Sequence, residues 1–488
     1  MSEISFTQFP TNFYVPGTYV EISTRRAQPV TSIVPQKMLL VGQKLAAGTA
    51  TEAVPVLVTS ADQAGRLCGR GSQLHHMAIA ALAATYSVPV WLLPLADAAG
   101  ATQSTRTVTL TGSPTAAGTV YLYIGGRRYA VNAAAAATVT TIAAAIATAI
   151  NADDLRHVDA SAALGVVTLT ARHGGIDAGE ISCTLNRYSD ERLPAGLTVA
   201  ISALTAGTGN PDIADAIAAI PNAWYTRMAI GWSDTANMTA LKTELLRRNG
   251  PIPQIEGVAF VGLEDTIENE LTWASGRNCQ FIAPVDNDSL SPKWKSAAFA
   301  CSVSATLAQQ DPGLPENRQE MPELLSKPDG ERRSITDRQQ LLAGGVGTLI
   351  TDESGVVRAE YFVTSYRTND YGAPDLRSWF DVCRVNLWAQ TRYGIRLLGV
   401  KLGGTKLGQN GSTGKNVITP STLNSEAIAF YKLYIDEGWY EGGAAFEKFK
   451  AEVSSEIDTE NPNRANLYFP PDFINQLRVQ AVLVEPVG

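Results

Sequence analysis

The sequence lacks an extended basic block, and this limits the partners that the chain can have. Its 488 residues carry a formal net charge of -8, and arginine pairs such as Arg247-Arg248 and Arg332-Arg333 are isolated. Because nucleic-acid binding depends on clustered lysine and arginine that neutralise phosphates, this charge distribution argues against a nucleic-acid scaffold. A hydrophobic content of 45% with 18% charged residues instead indicates a globular chain of about two to four domains.

Cysteine is also scarce, and none of the five occurs in C-x-x-C spacing: Cys68, Cys183, Cys279, Cys301 and Cys383. Their odd number argues against a disulfide framework and favours synthesis in a reducing cytoplasm. Glu3 and Pro10 stand where a signal peptide requires basic and then apolar residues, so no secretion is expected. Residues 77–96 and 130–151 form two uncharged stretches. The first contains prolines, and the second is mainly alanine and threonine. We therefore interpret both as soluble elements.

Histidine is the scarcest candidate catalytic residue, with four copies: His75, His76, His157 and His173. No serine lies in a recognisable nucleophile turn, which argues against a Ser-His-Asp hydrolase. No histidine or cysteine pair has metal-ligand spacing, so no catalytic or metal site is predicted.

A glycine-rich segment from Gly403 to Lys415 has the composition of a phosphate-binding loop. The spacing differs from that motif, because Gln409 replaces the first glycine and Asn416 follows Lys415 in place of serine or threonine. We interpret the segment as a flexible loop and expect no bound cofactor.

Short apolar runs alternate with helical patterns in two separate parts of the chain. The first part has a strand at 37–42, a helix at 72–86 and a strand at 88–93. The second has strands at 227–231, 257–262 and 278–283, with helices at 237–248, 266–275 and 292–307. This alternation predicts a layered parallel α/β core formed by residues 31–101 and 210–333.

Between these two parts, residues 102–209 are rich in threonine, valine, glycine and alanine in short alternating runs. A helix is predicted at 139–150. We interpret this region as an inserted, mainly β surface domain that is entered and left on the same side of the core.

Residues 334–488 are predicted to form an α+β C-terminal domain. A long loop at 310–333 precedes it. The domain has a helix at 334–342, a hairpin with strands at 348–351 and 356–364, and helices at 375–394, 425–437 and 446–457.

The last part of the chain, residues 473–485, follows a period of two. One face carries the apolar candidates for pairing, which are Phe473, Leu477, Val479, Ala481 and Leu483. Such a pattern is typical of a half-buried strand, whose backbone groups need partners. The strand could pair inside its own domain or add to a sheet of another copy, and the pattern alone leaves both possibilities open.

A second strand candidate lies near the N-terminus at residues 13–23, within an arm of residues 1–30. Its candidate pairing residues are Tyr14, Val15, Pro16, Gly17, Tyr19, Val20 and Ile22. Both termini of the chain therefore offer strands.

The segment Pro16-Gly-Thr-Tyr-Val-Glu21 resembles the opening of contractile bacteriophage tail sheath proteins, with Thr18 in place of the usual valine. The order of Leu341-Leu-Ala-Gly-Gly-Val-Gly-Thr348 and Val357-Arg-Ala-Glu-Tyr-Phe-Val-Thr-Ser-Tyr366, followed by a strand-forming terminus, is similar to the C-terminal domain of these sheaths. The general run of the sequence is closest to sheaths of the Mu-like phages. The resemblance implies a subtilisin-like α/β core and arms at both termini that pair with neighbouring subunits.

The resemblance also implies a non-enzymatic structural subunit that polymerises around an inner tail tube and contracts to drive the tube through the host envelope. The expected partners are identical subunits in stacked rings or a helix, the inner tube protein, and the baseplate and tail terminator proteins. Nucleic acid and direct membrane insertion are not expected. The expected location is the virion tail, after assembly in the host bacterial cytoplasm. The alternative is a stand-alone α/β hydrolase or nucleotide-binding enzyme with a β accessory domain.

Overall fold

The first described segment of the chain contributes three neighbouring strands to a large sheet. A computed structural model describes residues 32–85, 87–375 and 379–485, so the predicted N-terminal arm residues from Tyr14 to Ile22 lie outside the described residues. The segment forms β1 (Met38–Gln43), β2 (Val56–Val58), α1 (Ala61–Cys68), α2 (Gln73–Ala84) and β3 (Val90–Leu95). All six residues of β1 are buried, as expected for a central strand covered on both faces.

The chain then enters the region that we predicted to be an inserted domain. It forms β4 (Gln103–Gly112), β5 (Gly118–Ile124), β6 (Arg127–Ala133), α3 (Val139–Asn151), β7 (Val158–Ala163), β8 (Val166–Gly174), β9 (Cys183–Leu185) and β10 (Leu197–Ile201). Two antiparallel sheets result, with strand orders β10-β4-β8-β7 and β6-β5-β9. Thr102 and Thr208 form a β-bridge, so the chain enters and leaves this region side by side.

The α/β alternation then resumes. This part forms α4 (Ile213–Ala219), β11 (Arg227–Ile230), α5 (Thr235–Arg248), β12 (Val258–Leu263), α6 (Ile267–Ser275), β13 (Ile282–Asp286) and α7 (Lys293–Gln310). With the first segment it completes a six-stranded sheet of order β13-β12-β11-β1-β3-β2. All neighbours in this sheet are parallel except the β2-β3 pair at the edge. The predicted layered parallel core is therefore confirmed.

The last part of the chain is α+β. It forms β14 (Glu320–Leu325), α8 (Ile335–Gly344), β15 (Thr348–Thr351), β16 (Val356–Tyr361), α9 (Val382–Leu402), β17 (Lys406–Leu407), β18 (Val417–Ile418), α10 (Pro420–Asp436), α11 (Ala444–Glu452), β19 (Ser454–Ile457) and β20 (Ala465–Tyr468). The predicted hairpin is confirmed as β15 and β16, which pair antiparallel. An aromatic cluster joins α10 and α11, where the Tyr431 and Phe449 rings stack with centroids 4.1 Å apart.

Three predictions for this part were wrong in detail. The loop predicted at 310–333 contains β14, whose buried Met321 and Leu324 are three residues apart because a register shift interrupts its pairing with β16. The helix predicted at 375–394 begins instead at Val382, where the Asp381 side chain caps it by accepting from the Cys383 N–H. The helix predicted at 446–457 ends at Glu452, and the chain continues as β19.

The predicted terminal strand forms no ladder within the described part of the chain. Phe473 makes a single β-bridge with Tyr440, and residues 474–485 form no regular element. The period-two pattern is present in the sequence, but a strand requires a neighbouring strand to take its backbone hydrogen bonds. The possibility that this strand pairs inside its own domain is therefore not observed in the subunit.

Among the residues that the structure describes, no helix combines the length and apolarity required to cross a bilayer.

Candidate functional site

The C-terminal segment is the part of the subunit that most clearly lacks partners, and its base is held by aromatic packing. The N–H of Ile474 donates to the Trp439 carbonyl over 3.1 Å. The ring of Phe473 packs edge-on against Trp388, with ring centroids 4.7 Å apart. Phe473 is 5% exposed, so the structure places this predicted pairing residue inside its own subunit.

Five residues further on, Arg478 inserts its guanidinium into a buried acidic site. Its Nη2 lies 2.8 Å from Asp381 Oδ2 and 3.6 Å from Glu316 Oε2, and its Nε also donates to Asp381. The guanidinium carbon lies 3.7 Å from the centroid of the Tyr361 ring. A bidentate ion pair and a cation–π contact therefore hold the same side chain.

Different elements bring the acidic groups to this position. Asp381 and Cys383 lie at the N-terminus of α9, whereas Glu316 comes from the segment that precedes β14. The Cys383 thiol donates to Glu316 Oε2 over 3.2 Å, and the Tyr361 hydroxyl donates to Asp381 Oδ2 over 3.0 Å. We call Glu316, Asp381 and Cys383 the acidic site.

Burial dominates the electrostatics of this site. It raises the pKa of Glu316 to about 7, with a further upward contribution from the Asp381 charge, while Arg478 acts in the opposite direction. Burial also raises the pKa of the Cys383 thiol well above its usual value. The ligand atoms of the three residues lie within 4.8 Å of one another, as in a metal site. Here the Arg478 guanidinium supplies the positive charge that a metal ion would bring.

A first prediction concerns the pH dependence of stability. Since the pKa of Glu316 is about 7 in the folded subunit, its contribution to stability is fully present below the unfolded pKa of about 4.3 and is lost as the pH rises through 7. Glu316→Gln keeps the shape of the side chain but removes this titration. We expect the melting temperature of the variant, relative to the natural protein, to rise between pH 5 and pH 8. A pH-independent difference would contradict the prediction.

Beyond Arg478 the segment projects away from the subunit. The exposed fractions are 85% for Val479, 83% for Leu483 and 77% for Leu477, which lies just before the arginine. Ala481 is exposed as well. Residues 479–485 thus combine an apolar, strand-forming sequence with an absence of backbone partners in the part of the chain that the structure describes.

The hairpin of β19 and β20 also lacks strand partners, in this case along its outer edges. Its two strands pair with each other antiparallel, from Ser454 opposite Tyr468 to Ile457 opposite Ala465. Neither outer edge is paired with another strand in the described ranges. Because a two-stranded hairpin is marginally stable in water, these edges favour the addition of further strands.

The histidines form no catalytic arrangement within the described residues. His173 Nδ1 lies 2.9 Å from Asp97, and its Nε2 accepts from the Gln73 backbone N–H over 3.1 Å, so both ring nitrogens are used. His76 and His157 pack ring to ring with centroids 4.1 Å apart, and burial lowers the pKa of His157 to about 3. These side chains act in hydrogen bonding and packing.

The glycine-rich segment does not have the geometry of a phosphate-binding loop. It follows helix α9 rather than a strand, and the two-residue strands β17 and β18 flank its turns. The next helix, α10, begins at Pro420, five residues after the exposed Lys415. No strand-loop-helix unit surrounds this lysine in the described structure. The alternative of a hydrolase or nucleotide-binding enzyme therefore has no support here.

The sequence did not reveal the roles of Arg478, Asp381 and Glu316. One signal was present, because Arg478 is the single charged residue between Ile474 and Val484. Its acidic partners are separated from it by 97 and 162 positions, and no local pattern links them.

Three comparisons relate the chain to known proteins. Residues 206–365 match the family described as phage tail sheath protein central domain. The Mu-like prophage FluMu tail sheath protein of Haemophilus influenzae is 31% identical over 490 residues, which cover 99% of each chain.

Solved structures of sheath proteins are similar at low sequence identity. The sheath tail protein of Listeria innocua has a TM-score of 0.50 at 11% identity and covers 92% of this chain and 94% of its own. The sheath tail protein of Desulfitobacterium hafniense has a TM-score of 0.49 at 11% identity and covers 94% of this chain and 100% of its own. The identity of nearly one third over the full length shows that this chain belongs to the phage tail sheath proteins, the structural subunits of contractile tails.

Proposed function

We propose that subunits of this sheath protein assemble by strand exchange, in which residues 479–485 of one subunit pair with the β19-β20 hairpin of a neighbour. The observation that carries the proposal is that one chain has both an exposed segment with a strand-forming sequence and a hairpin whose outer edges have no strand partner in the described residues. The donor and the acceptor are different surfaces, so the contact is heterologous. Repetition of a heterologous contact that does not close generates a helix or stacked rings.

The N-terminal arm takes part in the same network in this proposal. Residues Tyr14, Val15, Pro16, Gly17, Tyr19, Val20 and Ile22 supply a second strand to a neighbouring subunit. A hairpin with two open edges can accept one strand on each side, which supports two arms for each subunit.

The assembled tube surrounds the inner tail tube protein and is bounded by baseplate and tail terminator proteins. The core, with a subtilisin-like arrangement, and residues 334–488 face the tube, while residues 102–209 face outward. Assembly takes place in the host bacterial cytoplasm without cofactor, nucleic acid or membrane insertion, and the subunit has no enzymatic activity.

Contraction follows from the same contacts. The sheath is held in a metastable extended arrangement, and rigid cores repack into a shorter, wider one while the paired arms keep the subunits connected. No bound nucleotide is required, because the energy is stored in the packing of the extended state.

A second prediction tests the acceptor edge. The purified protein at high concentration is expected to form tubes or stacked rings in electron micrographs. Leu467→Pro removes a backbone donor from β20, whereas Leu467→Ala shortens the same side chain and keeps its backbone N–H. We expect the first variant to form no tubes and the second to form them, since proline disrupts a strand ladder and alanine does not. Normal tubes from the first variant would exclude this hairpin as the acceptor.

A further inference from the structure

Arg478 is a largely buried side chain between two exposed neighbours in the C-terminal segment. Its side chain is 12% exposed, whereas its neighbours Leu477 and Val479 are 77% and 85% exposed. A single buried side chain thus lies between residues that project into solvent. The contrast marks Arg478 as a fixed point of the segment.

The other contacts of the segment lie on the N-terminal side of this point. Arg384 donates to the Phe473 carbonyl over 3.3 Å and to Asn475 Oδ1 over 2.6 Å. Gln476 Nε2 donates to the Gly313 carbonyl over 3.3 Å. Within the described residues, no hydrogen bond involves residues 479–485.

We propose that the acidic site of Glu316, Asp381 and Cys383 is the receptor for Arg478 of the same chain, so that the inter-subunit arm begins at Val479 rather than at Phe473. This inference rests on the proposed strand exchange. It divides the predicted strand 473–485 into an anchor that belongs to its own subunit and a seven-residue arm, residues 479–485, that pairs with another.

The chemistry of the site suits this role. Removing one partner from a buried ion pair leaves the other charge without compensation, so the anchored state is strongly favoured over a withdrawn arginine. Arginine remains charged at all accessible pH values, and its planar guanidinium matches a carboxylate through two hydrogen bonds. The anchor therefore fixes the direction in which the arm leaves the subunit without any contact to the neighbour.

The anchor also transmits force in the proposed sheath. When the arm is paired with a neighbour, a pull on residues 479–485 acts directly on Arg478 and, through Asp381, on the start of α9. Subunits can then rotate during contraction while the connection remains intact.

Limited trypsin digestion of the dilute, unassembled subunit tests the anchor. Trypsin cleaves after arginine only when the side chain enters its specificity pocket, and Arg478 cannot do so while it lies in the acidic site. Asp381→Asn weakens the site but retains a capping side chain for α9. We expect peptide 479–488, followed by mass spectrometry, to be released at least tenfold faster from this variant than from the natural protein.

Two further variants complete the test. Asp458→Asn removes a carboxylate near an exposed arginine, Arg464, and should leave the release of peptide 479–488 unchanged. Arg478→Lys leaves α9 intact and remains a trypsin site, but it loses the two-pronged contact, so its release should also be faster. Arg478→Lys therefore tests the anchor even if the Asp381→Asn variant does not fold.

If trypsin released peptide 479–488 from the natural protein as fast as from Asp381→Asn or Arg478→Lys, the proposed anchor would be wrong. This outcome is independent of assembly. A failure of the full-length protein to form tubes would overturn the proposed strand exchange but would not affect the digestion result.

Discussion

A chain that ends at Gln480 is expected to melt at the temperature of the complete, unassembled subunit and to form no tubes. The truncation removes five residues of the exposed arm, 481–485, along with the three that follow. Residues 481–485 make no hydrogen bonds with the rest of the described chain, so their loss costs the monomer little. In the proposed sheath they provide much of the ladder between subunits, so assembly is lost.

A chain that ends at Pro471 provides the contrast. It also loses Phe473 from the aromatic cluster and Arg478 from the acidic site. Loss of a buried phenylalanine costs about 3–5 kcal/mol, and an uncompensated buried charge costs a similar amount. We therefore expect its melting temperature to fall by roughly 10 °C or more.

Differential scanning calorimetry and electron microscopy check both chains. Equal melting temperatures for the two truncations would show that Phe473 and Arg478 do not stabilise the subunit. Tubes formed by the chain that ends at Gln480 would show that residues 481–485 are not required for assembly.

Lys293→Met is expected to cause a large loss of stability. Lys293, the first residue of α7, is 8% exposed at its side chain and lies 2.7 Å from the buried Asp177. It also pairs with Glu180. Both acids belong to residues 102–209, so this ion pair joins that region to the core. Burial alone would lower the pKa of Lys293, but the two carboxylates raise it above its usual value.

The variant would leave two carboxylates without their cation, one of them fully buried. Breaking such a pair costs about 3–5 kcal/mol, and the melting temperature of the unassembled subunit is expected to fall by roughly 5–15 °C. Lys295→Met is a matched control, since its nearest carboxylate, Glu323, is half exposed and 3.6 Å away. If the melting temperature fell no further for Lys293→Met than for Lys295→Met, the prediction would be contradicted.

The double variant Lys293→Met with Asp177→Asn separates charge from packing. It removes the charge of the fully buried carboxylate, leaves Glu180 charged, and should recover part of the lost stability.

The sequence predicted the core because its signals are local. Residues 38–42 are apolar throughout and end in glycine, a pattern typical of a strand buried on both faces. Helices that are capped by the side chain of the preceding residue were also close to their predicted positions. Examples are α2, capped by Ser72, and α8, capped by Ser334. The strand β14 was missed because its buried residues Met321 and Leu324 are three positions apart, which departs from the period of two of a regular strand.

The alternation of residues 473–485 and their apolar face were determined by the sequence alone, as was the resemblance to tail sheaths. The position at which that segment stops belonging to its own subunit was decided by the tertiary structure. A period of two depends on adjacent residues and can be read along one strand. A buried ion pair depends on where the fold brings distant residues, and here it places Glu316 and Asp381 beside Arg478 across 162 and 97 positions of sequence.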